Sequence, residues 1–189
     1  DEEAGVKAFE MHTRFFTHYK LPTLYNFVNR FRSGEMPLGI SSYSTYNTLV
    51  VFAPEIRGLW DFTLIPGTLK EDGTIDRSAN AWGNCSMMLT GSDNEEKAWE
   101  FMKWWASAET QLRFGRELES VMGSSARYAT ANVDAFEGLA WSSKQMKVLK
   151  EQWAWTKGNP EVPGSYYTSR HLVNAVRKVV VASEDPRET

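Results

Sequence analysis

Along residues 4–19, Ala8, Met11, Phe15 and Tyr19 recur every three or four positions, with Phe9 and Phe16 beside them. That spacing is the period of a helix with a broad apolar face. Pro22 ends it, because proline lacks the amide hydrogen and disfavours helix in the residue before it. A shorter helix is predicted over 24–31 and stops at Ser33-Gly34. Beyond it the runs shorten: 36–43, 48–52 and 59–65 read as strands, punctuated by Pro54, Gly58, Pro66-Gly67 and Asp72-Gly73. Residues 79–89 are apolar around Gly83 and read as a strand that a neighbour approaches closely. Ser92, with Glu95 three residues later, has the form of a capping box. It should open a helix to Leu112, with Phe101, Trp105 and Leu112 buried and Glu96, Lys97 and Lys103 solvated. After Met122-Gly123-Ser124-Ser125, a long helix is predicted over 134–156, carrying Leu139, Met146, Leu149, Trp153 and Trp155. A last helix over 169–182 places Leu172, Val176, Val179 and Val180 at helical spacing. No repeat interrupts this order, which reads as mixed α and β.

Composition narrows the picture. The 189 residues carry a formal charge of −3 and no basic block, which argues against binding a nucleic-acid backbone. No apolar run approaches the ~18 residues of a membrane helix. Cys85 is the single cysteine, so neither an internal disulfide nor a multi-cysteine zinc site is possible. Its apolar neighbours Met87, Met88 and Leu89 predict a buried, inert thiol. The chain opens Asp1-Glu2-Glu3 without methionine, and helical patterns run up to both ends. Both ends are expected to have been cut from something longer, with any signal or anchor outside this sequence.

Catalytic chemistry finds little support. His12 and His18 are six apart and His171 is remote, so no two of them share a helical face at ligand spacing. No nucleophile elbow and no phosphate-cradling glycine loop occurs. Glu35, Glu55 and Asp61 could form a glycosidase-like pair, a pairing common by chance in any chain. No cofactor, no metal and no enzymatic activity is expected.

Binding is better supported. Tyr43, Ser44, Tyr46 and Asn47, at or just past a predicted strand end, would make a rim of rings, hydroxyls and an amide. Trp82 opens a second rim, flanked by Asn80 and Asn84. Sugars present C–H faces and many hydroxyls, so their sites need an aromatic platform and a few convergent polar groups. Trp99, Trp104, Trp105, Trp141, Trp153 and Trp155 fall on predicted helices and are expected to pack in the core.

These residues carry a family resemblance. The string Phe31-Arg32-Ser33-Gly34-Glu35-Met36-Pro37-Leu38-Gly39-Ile40 resembles the short helix and glycine that precede a ligand-bearing strand in family 1 extracellular solute-binding proteins. Trp60 to Ile65-Pro66-Gly67 is similar to the family's strand ending at proline, and Trp82-Gly83 to Leu89 to its strand crossing between lobes. Asp93-Asn94-Glu95-Glu96-Lys97-Ala98-Trp99-Glu100-Phe101, followed by Ser107-Ala108-Glu109-Thr110-Gln111, is the most specific match. The matches run in family order over about half of the chain. Pro163-Gly164-Ser165-Tyr166-Tyr167 and the last helix look like an extended C-terminal region.

The resemblance implies the C-terminal half of a two-lobed α/β protein, periplasmic-binding-protein-like type II, helix-rich with a small mixed sheet. Residues 1–77 would belong to the second lobe, 78–115 to the crossing strand and helix, and 116–189 to a C-terminal helical region. Ligand would lie in the cleft between lobes, against Tyr43, Ser44, Tyr46, Asn47, Trp82, Gly83 and Arg127. The implied function is capture of a sugar or oligosaccharide outside the cytoplasmic membrane for the membrane subunits of an ABC importer. A catalytic carbohydrate-active module and a structural protein-interaction module are the alternatives. Turnover of glycosides would favour the former, and a stoichiometric protein partner the latter.

Overall fold

The computed structural model of the protein describes every residue except Asp1 and Pro160. Among the described residues the helices are α1 (Glu2–Thr17), α2 (Phe27–Arg32), α3 (Thr45–Phe52), α4 (Glu95–Ala106), α5 (Ala108–Met122), α6 (Val133–Glu137), α7 (Ser143–Trp153) and α8 (Ser165–Ala182). The strands are β1 (Thr68–Leu69), β2 (Ile75–Asp76), β3 (Ala79–Ala81) and β4 (Thr156–Gly158). In place of one mixed sheet there are two separate ladders: β1 pairs antiparallel with β2, and β3 pairs parallel with β4. The helix-rich character is as expected.

The chain divides into two compact units. In the unit of Asp1–Asn26 and Pro160–Thr189, α1 packs on α8. Arg187, beyond the end of α8, ties the two together by pairing with Glu10 at 2.7 Å and Glu3 at 3.6 Å on α1. The withdrawn face of α1 is Val6, Phe9, Thr13 and Phe16, whereas Met11, Phe15 and Tyr19 are exposed. Thr13 is fully buried without cost because its hydroxyl donates to the carbonyl of Phe9 at 3.0 Å.

The second unit, Phe27–Asn159, is built on a core of Phe136, Leu139, Trp141 and Leu149. Here several sequence expectations are corrected. Residues 48–52 are helical, not a strand. On α3, Tyr46, Leu49, Val50 and Ala53 share one face, and Leu49 and Ala53 are buried. Strand preference spans only ~1 kcal/mol, whereas burying a leucine is worth roughly 2 kcal/mol, so packing wins. Residues 36–43 form no strand. Residues 59–65 form no strand either, although Trp60, Phe62 and Leu64 are partly buried between exposed neighbours, and among the described residues no strand pairs with them. The α7 side chain of Gln152 substitutes for one: its Oε1 accepts from Ile65 N at 3.0 Å and its Nε2 donates to the carbonyl of Arg77 at 3.0 Å.

The predicted strand at 79–89 persists only as β3, and Cys85 beyond it is exposed. The apolar neighbours of the thiol cover nothing, since Met87 and Leu89 are exposed too. The helix expected from Ser92 starts later: Asn94 is the cap residue, and Ser92 Oγ only accepts from Asn94 N at 3.4 Å. It also breaks at Ser107, whose Oγ donates to the carbonyl of Trp104 at 2.8 Å and accepts from Thr110 N at 3.3 Å. One hydroxyl thus closes α4 and opens α5. Trp105 and Leu112 are partly buried, Lys103 is solvated as expected, and Phe101 is exposed. Of the tryptophans assigned to the core, Trp141 and Trp153 join it, while Trp99 and Trp104 are exposed. The long helix over 134–156 is two helices, because Gly138 ends α6 and a full capping box at Ser142 and Gln145 begins α7.

Candidate functional site

An aromatic cluster in the second unit extends the core toward the surface. Tyr43 packs on Trp141 and Trp153 with ring centroids 6.2 and 6.0 Å apart. Tyr46 meets Trp141 at 5.0 Å, Trp60 at 5.4 Å and Phe62 at 6.0 Å. Burial pushes the Tyr43 phenol up to about 12, with a smaller contribution from Tyr128. The Tyr46 hydroxyl accepts from Gln145 Nε2 at 3.2 Å, and Gln145 Oε1 accepts from Ser142 N at 3.1 Å. The N-terminal cap of α7 therefore holds one ring of the cluster in place.

Beside this cluster is a half-open cavity of about 200 Å³. Its floor is the buried pair Leu49 and Ala53, its walls are Tyr46 and Trp60, and Arg57, Asp61 and Gln145 stand at its polar edge. Trp60 is clamped between Tyr46 and Phe31, the latter edge-on at 6.1 Å. Asp61 pairs with Lys144, and Glu55 with Arg32. The hydrogen bond from Lys144, then that from Phe62 N–H, holds the Asp61 carboxyl below the usual carboxylate range. Glu55 is lowered first by its own backbone N–H and then by Arg32.

Of the residues expected at the ligand, Tyr43, Tyr46, Asn47 and Arg127 come together around Trp141. Asn47 Nδ2 donates to the carbonyl of Arg127 at 2.8 Å. The Arg127 guanidinium lies 4.7 Å from the Trp141 ring and 5.4 Å from the Tyr46 ring. It binds Glu119 at 2.8 Å and its side chain is only 9% exposed, so its charge is engaged inside the protein. Asn47 Oδ1 and Trp141 Nε1 are buried without a protein partner. Ser44 is exposed at the start of α3 and shares a hydrogen bond with Ser42. Trp82, 83% exposed, and Gly83 follow β3 on open surface and do not line the cavity.

Among the cavity residues that the sequence reading did not place at the ligand are Arg57, Trp60 and Gln145. Alternation at Trp60, Phe62 and Leu64 could have marked Trp60, and the Ser142-to-Gln145 spacing could have marked the cap.

A profile described as bacterial extracellular solute-binding protein matches residues 2–155. The chain belongs to the bacterial extracellular solute-binding protein family. The match extends beyond the segment that carried the resemblance, on both sides. No curated protein and no solved structure matches the chain.

Proposed function

We propose that the chain is the C-terminal portion of a two-lobed, type II binding protein that captures a sugar or oligosaccharide outside the cytoplasmic membrane. It would deliver that ligand to the membrane subunits of an ABC importer. In that parent, residues 1–77 form part of the second lobe, 78–115 the crossing strand and helix, and 116–189 a C-terminal helical region. The family is one of solute binders, and the observation that favours a sugar is the Tyr46–Trp60 pair walling a cavity with an apolar floor and a polar edge. Aromatic faces take the C–H face of a pyranose while amides and hydroxyls take its oxygens. Tyr43, Ser44, Asn47, Trp82, Gly83 and Arg127 complete the proposed lobe surface, with Arg127 acting by holding Tyr46 and Asn47.

A glycosidase needs one carboxyl raised in pKa to act as acid. Glu55 and Asp61 are both lowered, so neither is poised as that acid.

The test is calorimetry of the full-length protein against a panel of sugars, amino acids and peptides. A sugar should bind with Kd around micromolar, worth about 8 kcal/mol. Trp60→Ala should weaken it about tenfold, or about 1.4 kcal/mol. Saturable binding of an amino acid or peptide, with none of any sugar, would overturn the reading.

A further inference from the structure

We infer that the cavity beside Tyr46 takes an acidic sugar, one ring bearing a single carboxylate, and that Arg57 is the residue that selects it. The inference rests on the sugar reading above and names its substrate class.

Five ionised side chains stand around the cavity and the short 3₁₀ turn Pro54–Ile56 beside it, and four of them cancel in pairs: Asp61 with Lys144, and Glu55 with Arg32. Arg57 is left over. It lines the cavity, is exposed, and among the described residues has no ion pair and no side-chain hydrogen bond. The cavity therefore carries one uncompensated positive charge. A guanidinium at a cavity edge offers a planar fork of donors that matches a carboxylate bidentately. A single surplus charge with Asp61 close by suits a monoanion better than a dianion such as a phosphate ester.

The backbone fixes where Arg57 leaves the chain. Arg57 has φ −57° and ψ 127°, Gly58 has φ 78°, and Leu59 N donates to the carbonyl of Ile56 at 3.0 Å. These are the angles and the hydrogen bond of a type II turn, with Arg57 at its first corner and glycine where a positive φ is required. The guanidinium is thus carried on a closed turn between the 3₁₀ turn and Trp60, with the stacking wall three residues away in sequence. The half-open cavity of about 200 Å³ is small beside the ~300–1,000 Å³ of pockets for drug-sized ligands, which suits one ring seated against this lobe.

The experiment compares D-glucuronate and D-galacturonate with D-glucose and D-galactose, binding each to the full-length protein at low and at high salt. The acid should bind at least tenfold more tightly than its neutral parent, and the advantage should shrink as salt rises. Arg57→Gln should remove that advantage and its salt dependence, so that each acid binds no more tightly than its neutral parent, while leaving melting temperature unchanged. Arg113→Gln, an exposed charge in α5 paired with Glu117, controls for net charge and should change nothing. Neutral sugars binding as well as their acids, with Arg57→Gln silent, would overturn the acid preference and leave the sugar reading standing. Sugar phosphate binding that exceeds the uronates would overturn the monoanion assignment. No sugar binding of either kind would overturn both readings.

Discussion

At Tyr43 the phenol is held protonated by its neighbours, and that has a measurable sign. An unfolded tyrosine ionises near 10, whereas burial raises the folded value to about 12. The unfolded chain loses its proton first, so the contribution of Tyr43 to stability is complete below pH ~10 and is lost as pH rises toward 12. Phenolate absorbance should show one tyrosine titrating late, and Tyr43→Phe should remove that component from the alkaline titration. Arg127 is tested through its ion pair. Removing one partner of a buried pair costs about 3–5 kcal/mol, so Arg127→Ala should lower the urea midpoint sharply. A small loss of stability with a large loss of sugar affinity would make Arg127 a direct ligand contact instead. Cys85 is exposed and should react with a thiol reagent in the native protein; protection until unfolding would contradict its placement.

The elements differ in how far their own residues specify them. α1 and α8 have sustained apolar spacing, and both form close to where the pattern puts them, although α8 starts at Ser165, four residues before the expected start. α7 adds a full capping box, whose Gln145 also holds Tyr46. Ser142→Ala should therefore cost about 1 kcal/mol in thermal melts, and should loosen the Tyr46 wall of the cavity as well. A change under a few tenths of a kcal/mol would mean the helix is held by packing alone. Breaks within a helical pattern were harder to see. Ser107 reads as an ordinary polar position until its hydroxyl is found capping α5 and closing α4. The face of α1 turned out rotated from the aromatic stripe to Phe9, Thr13 and Phe16, because two adjacent apolar stripes are equally good until α8 selects one.

Across the whole molecule, acidic groups set the lower pH limit of stability. Asp61, Glu55, Asp72 and Asp76 all ionise more readily folded than unfolded. Asp61 owes this chiefly to Lys144, Glu55 to its own backbone N–H, Asp72 to the Thr74 hydroxyl and Asp76 to Lys70. Their contribution is present above the unfolded carboxylate pKa of ~4 and is lost as pH falls through the lower folded values. Thermal melts should decline below pH ~4, less steeply in high salt; a flat profile down to pH 2 would refute the pairings. By itself the sequence determined the family, the helix-rich character and the two helices at the ends, because periodicity, caps and motif order are local properties carried by neighbouring residues. It also brought Tyr43, Tyr46 and Asn47 to notice. Tertiary structure alone decided that 48–52 is a helix, that Gln152 takes the place of a strand for 59–65, and that Arg127 lies beneath Tyr46 rather than on the surface. Each of those outcomes depends on a partner many residues away, and the burial and pairing energies involved exceed the fractions of a kcal/mol that local preference supplies.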